Sequence, residues 1–130
     1  FSRGEFYNVP IEDLQRAVEA AVVAGYTVAW DADVSEKGFS FRNGMALLPA
    51  KGEESNLWKE EVTEATVTQE SRQKAFDNQT TTDDHLMHIV GLATDQSGAK
   101  YFVIKNSWGQ GNEYGGRQYI SMAYFQAKTI

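Results

Sequence analysis

The sequence predicts an α+β fold on a mainly antiparallel sheet, with a long N-terminal helix and a short second helix. Three observations carry this. Residues 10–25 repeat apolar side chains at helical spacing, between a start signal and a stop signal. Later runs rich in β-branched and aromatic residues are joined by short connections, which suits antiparallel pairing. The order is helix, strands, helix, hairpin, strand, which is not the strict alternation of a parallel sheet.

The elements follow in order. Pro10 suits the first helical turn, and Glu12 and Asp13 favour its positive end. Ile11, Leu14, Val18, Ala21 and Val22 form one apolar stripe, and Gly25 suits a left-handed stop. "YTVAW" predicts a strand over 26–31. "GFSFRNGMALLP" predicts a short strand near 39–42, an Asn-Gly turn and a strand at 44–48. From Ala50 to Glu64 the chain is acidic and irregular and reads as a solvated loop. Thr66 and Gln69 stand at capping-box spacing before a short helix over about 68–77. "HLMHIVGLA", the turn "TDQSG" and "KYFVIKN" read as a hairpin. A glycine-rich loop, "SWGQGNEYGG", leads to a last strand, "QYISM", and "AYFQAK" reads as one helical turn.

Composition narrows the function. The 130 residues make one domain, 42% hydrophobic and 23% charged. A formal charge of -6 argues against a nucleic-acid partner, which needs a basic stripe. No apolar run approaches the ~18 residues of a membrane span. With no cysteine the chain has neither disulfides nor thiolate metal ligands, though this does not fix the compartment. The start at Phe1 and the end at Ile130 both read as cut rather than natural.

Two histidines remain to be placed. On a strand, His85 and His88 point to opposite faces, so they cannot share a metal. Hairpin arithmetic is more informative. If the turn centres on Asp95–Gly98, facing positions sum to about 193. His85 then lies opposite Trp108, with the Asn106 amide one diagonal step away, within side-chain reach. Asn106 also ends the apolar face of Phe102 and Ile104, where a polar group needs a partner. A plainer alternative is that Asn106 only starts a turn and His85 only closes a strand end.

These residues resemble the papain-type cysteine peptidases. "DHLMHIVGL" is similar to that family's catalytic-histidine strand, with His85 followed by Val90 and Gly91. "VIKNSWG" is similar to its asparagine segment, with Asn106 as orienting residue and Trp108 as the covering tryptophan. Asp84 fits the family's common Asp-His pair. Upstream, "VAWDA" and "FSFRNGMAL" resemble the strand and turn of the same half-domain, which puts Ala29 near a substrate-pocket wall. The 68–77 insert, Met87 and "AYF" resemble the bleomycin hydrolase and bacterial aminopeptidase C branch. Arg117 departs from the pattern, standing where an aromatic is usual.

The resemblance implies the C-terminal, sheet-bearing half of such a peptidase, with a barrel-like antiparallel sheet. It implies a peptide substrate, no cofactor, and a missing N-terminal half-domain that carries the nucleophilic Cys and an oxyanion Gln. It makes His85 the base, with Asn106 holding its tautomer. The chain alone is then inactive, and its bare cleft wall should promote self-association. With no thiolate to hold the ring, the His85–Asn106 hydrogen bond is expected to exceed the ideal ~2.9 Å. The competing reading is a catalytically dead papain-like domain that binds or inhibits.

Overall fold

The structure is a computed structural model, and it describes residues 6–59 and 62–130. The first helix, α1 (Ile11–Val23), begins after Pro10 and ends in a left-handed Gly25, φ 88°. Tyr26 N–H returns 2.9 Å to Ala21 O and Gly25 N–H 3.0 Å to Val22 O, the paired bonds of a Schellman cap. Tyr26 therefore belongs to the helix end, and β1 spans Val28–Ala32, two residues later at its start than expected.

Next come β2 (Phe39–Ser40), β3 (Met45–Ala46) and the helix α2 (Gln69–Asp77). The capping box of α2 uses Thr68 and Ser71, not Thr66 and Gln69. Ser71 N–H donates 3.1 Å to Thr68 Oγ1, and Thr68 N–H donates 3.0 Å to Ser71 Oγ. Thr68 is the last extended residue, at φ -130°, so the cap belongs there. Gln69 is already helical.

The hairpin is β4 (His85–Thr94) and β5 (Lys100–Lys105), followed by β6 (Arg117–Ser121) and α3 (Met122–Lys128). That third helix is longer than the single turn read from the sequence. Ser121 caps it by accepting from Tyr124 N–H, and Tyr124 and Phe125 bury its apolar side.

The strands form one curled, half-barrel sheet in the order β1-β4-β5-β6-β3-β2. Its pairs are antiparallel except β3 with β6, which is parallel. The sheet is thus mixed rather than purely antiparallel. A strand from the first half of the chain reaches β6 only through a long connection, which permits either direction. In β4–β5 the facing positions sum to 194 near the turn, as in Thr94↔Lys100. Past an irregularity at Val90 they sum to 193, as in His88↔Lys105. The half of the hairpin nearest His85 therefore has the register read from the sequence.

One core joins the layers. Ile11 and Val18 of α1 meet Trp30, Met87, Ile89, Phe102, Ile104 and Ile120 of the sheet, and Tyr124 and Phe125 of α3. Several buried polar groups find partners, as their desolvation requires. Trp30 Nε1 donates 2.9 Å to Thr129 Oγ1, and Tyr124 Oη donates 2.8 Å to Asp33 O. The buried Lys128 ammonium pairs with Glu36, donates 3.1 Å to Thr81 Oγ1 and lies 3.8 Å from Asp33. Asp33 also accepts from Thr82 N–H. This cluster pins the polar connector that delivers the chain to His85.

Glu64, paired with Pro49 across an isolated bridge, tests the far side of the sheet. Burial pushes its carboxyl above the ordinary 4.5, partly offset by hydrogen bonds to Ser121 and the Leu48 backbone. A carboxyl with a raised folded pKa binds its proton more tightly folded than unfolded. Stability then falls as pH rises through the window above 4.5. Glu64→Gln is expected to remove that slope and raise the thermal midpoint at neutral pH. A midpoint unchanged or lowered in pH-resolved melts would contradict this.

Candidate functional site

His85 opens β4, and Asn106 is the first residue past β5. The alternation of β4 puts His85 on the face of Met87 and Ile89, and Leu86 and His88 on the other. On that first face His85 Nε2 lies 2.8 Å from Asn106 Oδ1. A carbonyl oxygen only accepts, so Nε2 carries the proton in the neutral ring and Nδ1 keeps its lone pair. The contact is not stretched as the sequence reading expected. Asn106 is 3% exposed, and Ser107 N–H also donates 2.8 Å to Oδ1, so the oxygen is held from two sides.

Trp108 covers this contact. Its ring stacks on His85 with centroids 4.9 Å apart and planes 20° from parallel. Phe39 and Phe41 meet it edge-on, at 5.9 and 5.6 Å. Lower local dielectric strengthens the hydrogen bond beneath. The loop carrying Trp108 is tied by Asn112, whose Nδ2 donates to Phe41 O (3.0 Å) and Arg117 O (2.9 Å). Its Oδ1 accepts from Tyr114 and Gly116 N–H. Gly116 is required there: its φ is 82°, and a Cβ would stand 2.2 Å from Gly109 O. Arg117, the departure noted in the sequence, pairs with Lys105 at the exposed start of β6.

This chain belongs to the peptidase C1-like family. That family's model matches residues 2–129. The structure is also similar to three solved papain-like proteins, at identities that speak to the fold. PepW of Lactobacillus rhamnosis superposes with TM-score 0.69 at 21% identity, over 94% of this chain and 26% of that one. The Amb a 11 cysteine protease, a ragweed pollen allergen, gives 0.52 at 19%, over 92% and 29%. The bromelain protease of Ananas comosus gives 0.51 at 16%, over 88% and 43%. Cathepsin L of Sarcophaga peregrina is 48% identical over 40 residues, which is 31% of this chain and 11% of that protein. The chain therefore spans less than half the length of each of these relatives. Its α+β half-barrel is the papain-like cysteine peptidase fold.

The other candidates fall around the pair. Asp84 turns its carboxylate to the loop after β1. Oδ2 accepts from Val34 and Ser35 N–H at 3.2 and 3.1 Å, and Oδ1 from Thr82 Oγ1 at 2.7 Å. The Thr82 bond leads in holding its pKa below the usual carboxylate range. Asp84 thus steadies the approach to His85 from the next residue. Ala29 faces His88 across β1–β4, on the side of Leu86 rather than that of His85. His88 bonds Thr27 Oγ1 at 2.7 Å, away from Asn106.

The sequence reading missed Gln118. It is fully buried, and its Oε1 accepts from Asn106 Nδ2 at 3.2 Å. Alternation in β6 held the signal, because Gln118 and Ile120 share the inward face and only one is apolar.

Proposed function

We propose that this chain is the sheet-bearing half of a papain-like cysteine aminopeptidase of the bleomycin hydrolase and bacterial aminopeptidase C branch. The observation that carries the reading is the 2.8 Å His85–Asn106 contact under Trp108, in a chain with no cysteine. Such a pair is a base with its tautomer held, and it lacks only a nucleophile. The branch rests on the α2 insert, Met87 and the closing Ala123-Tyr124-Phe125. The nucleophilic Cys and the oxyanion Gln are assigned to a helical half that packs on this face.

In the assembled enzyme, His85 Nδ1 takes the thiol proton, and the thiolate attacks the peptide carbonyl. The C–N bond breaks as imidazolium returns that proton to the leaving amine. Water then cleaves the thioester, giving its proton to His85, and the thiolate departs and is reprotonated. Asn106 holds the ring through Nε2, Trp108 keeps water from that bond, and Ala29 lines the substrate groove beside Leu86.

The test is the coding sequence around this chain, expressed as one product. Hydrolysis of aminoacyl-coumarin amides, abolished by thiol alkylation, supports the peptidase. A product with no thiol that binds peptides or peptidases without cleaving them supports instead a dead binding or inhibitory module.

The cleft wall supplies a second test. Trp108, over the His85–Asn106 contact, is 43% exposed, and a large bare apolar patch is rare on a monomer. This chain alone is expected to self-associate at high concentration. A sharp monomer in sedimentation velocity at the highest soluble concentration counts against that face as a docking surface.

A further inference from the structure

The Asn106 amide is gripped at both ends, and the second grip is unexplained by the fold. Its oxygen faces His85 Nε2 and the Ser107 N–H. Its nitrogen donates to Gln118 Oε1. Gln118 is 0% exposed and sits on the inward face of β6, beside Ile104 of β5 and two residues from Ile120. An apolar side chain would fill that place, but it would leave Asn106 Nδ2 without its acceptor. The glutamine leaves its own Nε2 buried with no hydrogen-bond partner among the described residues. Such an orphan donor is destabilising, so packing alone does not account for a glutamine there.

What the glutamine adds is an acceptor aimed at Asn106 Nδ2. With the amide turned over, Nδ2 would meet the Ser107 N–H, donor against donor, and Oδ1 would meet Gln118 Oε1, acceptor against acceptor. Ser107 sets which end of the amide is oxygen, and Gln118 secures the other end. We propose that Gln118 is a positioning residue that holds the Asn106 amide with Oδ1 toward His85, favouring the His85 tautomer protonated at Nε2. Its value to catalysis rests on the peptidase reading above, because that tautomer leaves Nδ1 free to take a proton. Its effect on the ring does not, and can be read in this chain alone.

The experiment is ¹⁵N NMR of the imidazole ring in the full chain, in alkaline buffer where the tautomers report separately. Wild type should show the Nε2–H form of His85 in large excess. Gln118→Leu removes the acceptor and also the orphan donor. It trades that orphan for Asn106 Nδ2, left without its acceptor, so the melting midpoint should stay close to wild type while the Nε2–H to Nδ1–H ratio falls about fivefold, the worth of one ordinary hydrogen bond. Gln118→Glu keeps an acceptor oxygen at that place and should retain the wild-type ratio. Gln118→Met, a flexible filler, stands in for Leu if packing fails. An unchanged ratio in folded Leu or Met variants overturns the proposal. So does a Glu variant that shifts the ratio as Leu does, since volume rather than the acceptor would then matter. Absent turnover in the longer product, with the ratio still shifting, would sink the peptidase reading and leave this one standing.

Discussion

This chain by itself is expected to release no coumarin from any aminoacyl-coumarin substrate. A longer product that supplies a thiol should do so, and His85→Ala should cost it about 10²–10⁴-fold in kcat, the span of one acid–base group. The reason is chemical. An imidazole held by Asn106 can take a proton, but the chain has no cysteine from which to take it. An unperturbed thiol, with a pKa of about 8.5, is mostly protonated at neutral pH, so it in turn needs the base. The two defects should look alike at the active site and differ in control. His85→Ala leaves the thiol open to slow alkylation, whereas the chain alone has nothing to alkylate. Turnover by this chain alone that disappears on His85→Ala would mean that a different nucleophile operates, and the peptidase reading would fall.

The second large effect is on stability. Phe125→Ala is expected to destabilise the fold by about 3–5 kcal/mol, a large part of the 5–15 kcal/mol typical of a domain. Phe125 is 1% exposed, stacks on Trp30 at 5.7 Å and meets Phe102 at 4.7 Å. Its loss opens a cavity where α3, β1 and β5 converge, and those rings are too large to collapse into it. Urea melts followed by tryptophan fluorescence measure this, since Trp30 lies beside the cavity. A loss under about 1 kcal/mol would show that the α3 contact is peripheral.

Much of this was legible in short stretches of sequence. Apolar spacing and Gly25 mark α1, because helix ends are local chemistry. The turn at Asp95–Gly98 marks the hairpin, and its register brings the His85 ring beside Asn106 and under Trp108. Each of these depends on residues within a few positions, or on one turn that carries a register along two strands.

Other features depend on segments that meet only after the chain has closed. The parallel pairing of β3 with β6 joins residues more than seventy positions apart, and a reading of a mainly antiparallel sheet did not locate it. Helix α3 outgrew its expected single turn because Tyr124 and Phe125 found Asp33, Trp30 and Phe102 to bury against. The Asp84 carboxylate went to the loop after β1 because β1 and β4 are neighbours. Gln118 came to lie against Asn106 because β6 pairs with β5. The sequence by itself determined the helix, the hairpin and the histidine–asparagine meeting, through local periodicity and turn geometry. The tertiary structure alone decided what closes the sheet and what stands behind Asn106, because long-range packing and the pairing of buried polar groups are settled only when distant strands come together.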